Sequence, residues 1–411
     1  MHVLLITQYF PPEIGAAASR WGDYVNILIN KGHKVTVLCE MPNYPYGRLI
    51  DGYKNECSKR EKLSENLTII RSGVWANDRK STLKLLGNYL SFAFIGIINA
   101  IKIKNYELII LSSPPLFVGL IGIVLNKIKT CSILLDLRDI WPESAVALGG
   151  IKSKSLIKMG RWLETKVYNA VSGFIFPVPG FSNYFKESLP EQLVKPMFTL
   201  MNGIDREFLV ELDNPNKSHN NLFTVLYSGN MGIAQGLEVV IEVAEMLANY
   251  PINFQLIGDG VKKQSLIDLI NSKGIKNVSF QNPLPRNQLI QEIKKANVCL
   301  VPLKNKKLFK SAIPSKIFEI MACCKPIILG VKGEAAEIIK QNNCGIVVSP
   351  ENPVHFKNAI LSYFNNVDLA KEHGQNGVNF VTNNMQKELL LSEFLIQIKN
   401  QNKALSKCIN I

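Results

Sequence analysis

The chain alternates short, near-continuous apolar runs with longer amphipathic segments along its whole length. Apolar runs of this kind are typical of parallel strands that helices cover on both faces. Two such sets in succession predict an α/β fold with two Rossmann-like, doubly wound parallel-sheet domains. The pattern predicts strands at residues 2–7, 35–38, 67–71, 108–111, 133–136, 174–176, 223–227, 253–257, 278–280, 298–301, 327–329 and 345–348.

The polar stretch that follows residue 200 predicts the boundary between the two domains. Residues 201–205 and the polar residues 214–221 break the alternation of strands and helices. We therefore expect an N-terminal domain over residues 1–200 and a C-terminal domain over residues 201–384. The last amphipathic segment, within residues 385–411, is expected to pack back on the N-terminal domain.

Uncharged segments within residues 84–129 bear on the location of the protein. Residues 85–101 lie between Lys84 and Lys102 and are at the short limit for a membrane span of about 17–25 residues. Residues 108–126 are interrupted by the sequence SSPP and are better explained as a strand, a turn and a helix. We favour an apolar, lysine-flanked patch that sits on a membrane surface. Two ordinary buried helices are the equal alternative, and a true span fits least well.

The formal net charge of +14 leans toward the N-terminal half and indicates an anionic partner. No basic run is interleaved with stacking aromatic residues, so an anionic membrane or phosphate-bearing substrates fit better than nucleic acid. The eight cysteines form neither a CxxC motif nor a Cys/His set with zinc spacing, which favours reduced thiols in a cytoplasmic protein. The apolar start of the chain predicts a buried strand rather than a signal peptide.

Glycine-bearing loops follow the strands of the C-terminal domain, at the edge where open α/β sheets bind ligands. The loop after residues 223–227 carries Gly229, Asn230 and Gln235 and is a candidate phosphate cradle. An ordinary strand-to-helix turn explains this loop equally well. Gly258 follows the next strand and is expected either to form a backbone wall beside a nucleotide or to make a tight turn.

A predicted helix start within residues 313–322 brings three polar side chains together. Ser315 can cap the helix or donate to an anion, and Lys316 places a cation beside the free backbone amides. The Glu319 carboxylate, one turn further on, can accept two vicinal ribose hydroxyls, as the acidic residue of dinucleotide folds does. A solvated surface carboxylate is the alternative for Glu319, and its apolar neighbours disfavour that alternative.

Charged residues also follow two strands of the N-terminal domain. Glu13 and Arg20 come after residues 2–7, among small residues that permit a close approach, and Arg20 is expected to be available to an anion. Arg138 and Asp139 come after residues 133–136, where charges are costly unless they are exposed or paired. A structural Arg138–Asp139 network is the alternative to a functional role. We favour the functional role because this cluster faces the same edge as the other loops.

Taken together, these motifs resemble glycosyltransferase family four, a retaining group with the GT-B fold. More narrowly, the sequence is similar to bacterial O-antigen and capsule transferases that use N-acetyl-L-fucosamine or a related acetamido sugar. The resemblance is carried by PPEIGAAASR at 11–20, LRDIWPES at 137–144, MNGID at 201–205, YSGNMGIAQG at 227–236, LIGDG at 256–260, IPSKIFEIMA at 313–322 and VKGEAAEII at 331–339.

The resemblance implies two domains that face a cleft, with the donor on the C-terminal domain and the acceptor mainly on the N-terminal one. It implies a UDP-sugar as co-substrate, a lipid-linked saccharide such as a polyprenyl diphosphate sugar as acceptor, and no cofactor or metal. The expected location is peripheral, on the inner face of the bacterial cytoplasmic membrane, with the oligomeric state open. Two alternatives remain: a UDP-sugar epimerase or phosphorylase of the same fold, and a non-catalytic nucleotide-sugar-binding subunit.

The resemblance also assigns roles to individual residues. Glu319 matches the glutamate that holds the donor ribose, and Arg286 lies in the loop beside the base. Gly229 and Gly232 match the phosphate loop, Gly258 matches the glycine beside the nucleotide, and Gly15 matches the small residue under the donor phosphate.

Three positions depart from the pattern of the family. Ser311 stands where the family often has a glutamate, while Asn230 and Gln235 stand where it often has arginine and lysine. Lys316, Lys310 and Arg138 are the nearest candidates to replace the missing cations. The predicted catalytic residues are Lys316 and Arg138 near the diphosphate and Asp139 at the acceptor hydroxyl, with Glu13 and Arg20 on the acceptor side.

Overall fold

The computed structural model describes residues 1–78, 81–128, 131–139, 153–188, 195–204, 222–306, 309–310 and 313–401. The chain divides into two compact units. The N-terminal unit comprises Met1–Met201 and Lys387–Ile411, and the C-terminal unit comprises Asn202–Gln386. The expected domain limits, after residues 200 and 384, lie one and two residues from these divisions.

The described part of the N-terminal unit contains one sheet with the strand order β3-β4-β2-β1-β5-β6-β7-β8. All neighbouring strands are parallel except β3 and β4, which are antiparallel. The strands are β1 (His2–Thr7), β2 (Lys34–Glu40), β3 (Ser58–Lys62), β4 (Leu67–Ser72), β5 (Leu108–Ser113), β6 (Ser132–Leu137), β7 (Gly173–Phe176) and β8 (Met197–Thr199). Its helices are α1 (Ala16–Asn30), α2 (Thr82–Lys102), α3 (Val118–Ile128), α4 (Lys154–Ala170) and α5 (Pro179–Ser188).

The C-terminal unit contains an all-parallel sheet with the order β11-β10-β9-β12-β13-β14 among the described residues. The strands are β9 (Phe223–Ser228), β10 (Ile252–Ile257), β11 (Val278–Gln281), β12 (Val298–Pro302), β13 (Ile327–Gly330) and β14 (Gly345–Val347). The helices are α6 (Glu238–Met246), α7 (Lys263–Lys273), α8 (Arg286–Lys295), α9 (Lys316–Ala322), α10 (Glu334–Gln341), α11 (Pro353–Asn365) and α12 (Val367–Asn384).

The last helix, α13 (Lys387–Asn400), belongs to the N-terminal unit. Its Lys387 ammonium pairs with the Asp23 carboxylate of α1. The Gln397 amide oxygen accepts a hydrogen bond of 3.0 Å from the backbone N–H of Thr199 in β8. The Phe394 ring meets the Phe198 ring edge to face. Helix α13 therefore covers the β8 side of the N-terminal sheet.

All twelve predicted strands are present, and the α/β class with two doubly wound sheets is confirmed. Strands β3 and β8 are not predicted by the pattern. Strand β3 has the sequence SKREK, which carries no apolar residue. It is an antiparallel edge strand, so its backbone pairing with β4 holds it in place rather than burial of its side chains.

The apolar segments within residues 84–129 are expected to form a membrane-surface patch, two buried helices or a membrane span, and the structure of α2 bears on this choice. Residues 108–126 form β5, a turn and most of α3, as predicted. Among the described residues, Leu83–Lys102 is the helix long and apolar enough to cross a membrane by length and composition, and 33% of it is buried. Its inner face packs on α3, where Gly96 meets the Ile121 side chain. Its outer face leaves Phe94 68% exposed, so α2 is not an ordinary buried helix.

Candidate functional site

Strand β9 lies between β10 and β12 in the C-terminal sheet, and the loops that follow these strands share one edge. The backbone N–H of Gly229 donates to the Ile257 carbonyl at 2.9 Å, and the N–H of Met231 donates to the Asp259 carbonyl at 2.7 Å. These bonds join the loop after β9 to the loop after β10. The two loops therefore contact each other through main-chain atoms at the edge of the sheet where open α/β sheets bind ligands. We call this edge, formed by the loops after β9 and β10, the ligand edge.

Glycine is required where these two loops touch. Gly258 has a φ of +149°, and a Cβ placed on it would lie 1.9 Å from the Gly229 carbonyl oxygen. Gly260 has a φ of +153°, and its Cβ would lie 2.6 Å from the Met231 carbonyl oxygen. Any side chain at either position would push the two loops apart, while the backbone wall beside a nucleotide at Gly258 stays a prediction.

We expect Gly258→Ala to disrupt this edge. The left-handed backbone and the collision with Gly229 should together lower the free energy of unfolding by about 2–4 kcal/mol and abolish stabilisation by UDP. The matched control is Gly274→Ala, because Gly274 also has a positive φ, of +64°, but has open space around it. The control should cost about 1–2 kcal/mol and keep the UDP response. Equal UDP-induced shifts in melting temperature for the two variants would contradict the assignment.

Lys316, the first residue of α9, places its ammonium group against the loop after β9. Its Nζ donates to the Ser228 carbonyl at 2.7 Å and lies 4.4 Å from the centroid of the Tyr227 ring. The Tyr227 hydroxyl in turn donates to the Asn230 carbonyl at 2.5 Å. Lys316 makes no ion pair with any carboxylate among the described residues. The group is therefore a fixed positive charge at the ligand edge without a carboxylate partner there.

Burial lowers the pKa of Lys316 to about 8, and the nearby charge of Glu319 opposes this shift. A lysine with this pKa is still mostly protonated at neutral pH, but its charge is costly in the protein alone. An anion bound beside Nζ would stabilise the charged form. The position thus favours an anionic ligand, and the predicted contact of Lys316 with a diphosphate stays a prediction.

The other predicted donor residues of the C-terminal unit lie on the same loops. Glu319 is half-buried one turn into α9, and Ser315 is exposed at the start of α9 without a side-chain capping bond. Arg286 is exposed at the first residue of α8, after β11. Ribose binding by Glu319 and base contact by Arg286 stay predictions. Lys310 is exposed, and Ser311 lies outside the described residues.

The Gln235 side chain makes a hydrogen bond within its own loop. Its Oε1 accepts the Gly232 backbone N–H at 3.1 Å and closes the 3₁₀ turn Ile233–Gln235. The contact explains why a carboxamide suits this position, since a lysine could not accept that bond. Asn230 is exposed at the tip of the same loop. A donor contact by either side chain stays a prediction.

The expectation that Arg20 is available to an anion is wrong. Its side chain is buried, and its guanidinium contacts the Asp136 carboxylate at 3.1 Å and the Leu200 carbonyl oxygen at 2.7 Å. The Trp21 indole N–H and the Ser112 hydroxyl also donate to Asp136, at 2.8 and 3.3 Å. Arg20 therefore neutralises a buried carboxylate and ties α1 to β6 and to the segment after β8.

Glu13 is likewise occupied by the protein rather than free for an acceptor. It is buried, and its carboxylate accepts the backbone N–H groups of Asn43 and Tyr44 at 2.9 Å and that of Phe10 at 3.2 Å. These bonds join the loops after β1 and β2. The acceptor-side role predicted for Glu13 is corrected to a structural one. Gly15 begins α1 against the Tyr44 ring, and its predicted contact with donor phosphate is not tested.

Arg138 has contacts that fit the structural alternative. Its Nε and Nη2 donate to the carbonyl oxygens of Ser113 and Pro114 at 3.3 and 3.1 Å, and Nε lies 3.7 Å from Asp136. Burial lowers the pKa of Arg138, and the Asp136 carboxylate opposes this shift. The predicted network thus centres on Asp136, which the sequence pattern marks only as the end of a strand. Asp139 is half-buried, and the rest of its motif, residues 140–144, lies outside the described residues.

Comparisons with known proteins bear on the fold and on the class of protein. Residues 211–380 match the family model "Glycosyl transferases group 1". The chain is 24% identical, over 97% of its length and 100% of the relative, to the putative colanic acid biosynthesis glycosyl transferase WcaI of Escherichia coli.

Solved structures resemble both units. Sucrose-phosphate synthase from Thermosynechococcus elongatus aligns with a TM-score of 0.75 at 17% identity, over 98% of this chain and 100% of that chain. Anabaena HepE in complex with UDP-glucose aligns with a TM-score of 0.66 at 14% identity, over 97% of this chain and 100% of that chain.

These likenesses define the fold as GT-B. Residues 211–380 are therefore similar to the glycosyl transferases group 1, and the chain is similar over nearly its whole length to a putative glycosyl transferase.

Proposed function

We propose that the protein transfers an N-acetylated amino or deoxy sugar from a UDP-sugar to a lipid-linked saccharide, with retention, during O-antigen or capsule synthesis. The observation that carries the proposal is the Lys316 ammonium held against the glycine edge at Gly229 and Gly258. The description of the Escherichia coli relative as a putative colanic acid biosynthesis glycosyl transferase and the UDP-glucose complex of HepE support it.

The chemistry requires a stabilised leaving group. The bond between the sugar C1 and the phosphate oxygen breaks, a bond from the acceptor oxygen to C1 forms on the same face, and the acceptor hydroxyl proton is lost. Negative charge grows on the diphosphate as the bond breaks, and a positioned cation stabilises that state more than the ground state. We assign this task to Lys316, so that no metal is required. Glu319 would accept the donor ribose hydroxyls, and Asp139 would orient or deprotonate the acceptor.

A screen of UDP-sugars by thermal stabilisation tests the donor class. We expect one acetamido UDP-sugar to raise the melting temperature more than UDP-glucose does. We also expect UDP to raise the melting temperature more than ADP does. A larger shift with ADP than with UDP would contradict the proposed donor class.

The pH dependence of turnover follows from the pKa of Lys316. The side chain carries its charge below pH 8 and loses it as the pH rises through about 8. We expect kcat/KM for the donor to fall by about tenfold per pH unit above that value, since kcat/KM reports the free enzyme. The control is Lys316→Arg, whose guanidinium stays charged to above about pH 12, and its profile should lack this fall. The same alkaline fall in both proteins would assign it to another group.

We also propose that α2 rests on the inner face of the cytoplasmic membrane. Its exposed side carries Leu83, Leu90, Phe94 and Ile98, and Lys84 and Lys102 flank the apolar run. An amphipathic surface of this kind inserts shallowly at a lipid interface. The charged rim favours anionic lipid.

Phe94→Asp is expected to weaken binding to anionic vesicles by at least about tenfold, because it places a charge where the lipid would cover an apolar ring. The matched control is Ile396→Asp, since Ile396 is 57% exposed on α13 and lies outside the α2 surface. Vesicle co-sedimentation measures both variants. An equal loss of vesicle binding in the two variants, or no loss of vesicle binding in Phe94→Asp, would show that α2 does not contact lipid.

A further inference from the structure

A cavity of about 540 Å³ lies in the N-terminal unit at the end of the sheet where the parallel strands begin. Lys34 stands at the start of β2, and Arg60 and Lys62 lie on β3. Lys102 and Lys104 come from the end of α2 and the residues after it. We call this cavity the basic pocket. The ligand edges described above follow the other ends of the strands, so the basic pocket is separate from them.

The strand register explains why these cations share one wall. Lys62 is paired with Thr68 of β4, and Thr68 is paired with Thr36 of β2. Residues two apart on a strand point to the same face, which places Arg60 beside Lys62 and Lys34 beside Thr36. The side chain of Asn99 fixes α2 over this face by donating to the Cys57 carbonyl and to the Ser72 hydroxyl, both at 2.8 Å. The pocket is thus built on regular elements.

The charges on this face are unbalanced. None of the five basic side chains makes an ion pair with a carboxylate among the described residues, and Glu65 is the one carboxylate in the lining. The opposite face of the same hairpin differs, because Glu61 there pairs with Lys59 at 3.6 Å and with Arg71 at 3.0 Å. A helix C-terminus favours Lys102 and Lys104, but it does not explain the three cations on the strands. The convergence favours a bound anion.

An apolar surface adjoins the pocket on the same helix. Ile98 and Ile101 are 45% and 43% exposed in the last turns of α2, directly before Lys102. Phe94, one turn earlier, continues this exposed side. A small soluble anion would use the cations alone, whereas a lipid with an anionic headgroup and acyl chains matches both surfaces.

We propose that the basic pocket binds the phosphodiester headgroup of an anionic phospholipid, with the acyl chains along the exposed side of α2. The inference rests on the proposed membrane contact and deepens it, because it names a lipid class and a site. The bound lipid would fix the depth and rotation of α2 in the interface. Donor binding at Gly229 and Lys316 does not depend on it.

The test compares the triple variant Arg60→Ala/Lys62→Ala/Lys102→Ala with the wild type and with a charge-matched control. The control is Lys276→Ala/Lys306→Ala/Lys399→Ala, three exposed lysines that do not line the pocket. Vesicles of phosphatidylcholine alone, and with one-third phosphatidylglycerol, measure the preference for anionic lipid. Dihexanoyl phosphatidylglycerol below its micelle concentration, glycerol phosphate and inorganic phosphate measure binding to the pocket itself. UDP-induced thermal stabilisation reports whether each variant is folded.

We expect the pocket variant to lose at least tenfold of the preference for anionic vesicles and to lose saturable binding of the short-chain lipid. The control and the UDP response should stay within twofold of the wild type. Equal losses in the pocket variant and the control would overturn the proposal, as would binding of inorganic phosphate as tight as that of the short-chain lipid. If the wild type binds vesicles but the pocket variant binds equally well, the headgroup site is wrong and the membrane contact stands. If the wild type binds no vesicles, both are wrong.

Discussion

Lys316→Met is expected to lower kcat/KM for the UDP-sugar by about 10²–10³, the loss seen when one positioned group that stabilises transition-state charge is removed. The ammonium lies at the Ser228 carbonyl and above the Tyr227 ring, where it has no carboxylate partner among the described residues. The methionine keeps the length of the side chain and removes the charge. Initial rates of UDP release at saturating acceptor measure the effect.

The control is Lys276→Met, an exposed lysine that follows α7. It should keep kcat/KM within about twofold, since a distant surface charge acts only through a screened field. Glu319→Ala should instead raise KM for the donor, because a ribose contact contributes to ground-state binding as well. Near-wild-type rates in both Lys316→Met and Glu319→Ala would remove the donor site from these loops.

The second large effect concerns stability. We expect Arg20→Met to lower the free energy of unfolding of the N-terminal unit by about 3–5 kcal/mol, because it leaves a buried carboxylate without its main cation. Asp136 is fully buried and, among the described residues, would keep Trp21, Ser112 and the more distant Arg138 as partners. Urea unfolding followed by far-UV circular dichroism measures the change.

Arg48→Met is the matched control, because Arg48 is exposed and makes no ion pair with a described carboxylate. It should change the unfolding free energy by less than about 0.5 kcal/mol. The double variant Arg20→Met/Asp136→Leu should recover part of the loss, since an apolar pair can replace a buried ion pair. A loss below about 1 kcal/mol in Arg20→Met would show that the network is not needed for folding.

The sequence predicts the strands well because each buried strand of a parallel sheet is a local apolar run. It also marks Lys316 and Gly258 as candidates, because both lie in short motifs where the strand, the loop and the helix start follow one another, and their roles stay predictions. The same locality explains the omission of β3, whose five polar residues form a strand only through pairing with β4.

The residues that the sequence assigns wrongly depend on distant partners. The local sequence predicts that Arg20 is a free cation at a helix start. Its carboxylate partner in the structure is Asp136 on β6, 116 positions later. The local sequence predicts that Glu13 contacts the acceptor substrate. In the structure its carboxylate accepts hydrogen bonds from backbone amides 30 and 31 positions away. A local pattern also does not predict the basic pocket, since its cations come from three separate segments of the chain. The order of the strands in the sheet determines which of these distant residues come into contact, and a local sequence pattern does not predict that order.

The most direct test of sugar transfer combines the best-stabilising UDP-sugar with a polyprenyl diphosphate sugar and purified protein. Mass spectrometry follows the lipid, and NMR follows the anomeric configuration of the new linkage. The account predicts that the lipid gains one sugar, that UDP is released in equal amount, and that the anomeric configuration of the donor is kept. An unchanged lipid, with the donor either epimerised or bound but not consumed, would contradict it.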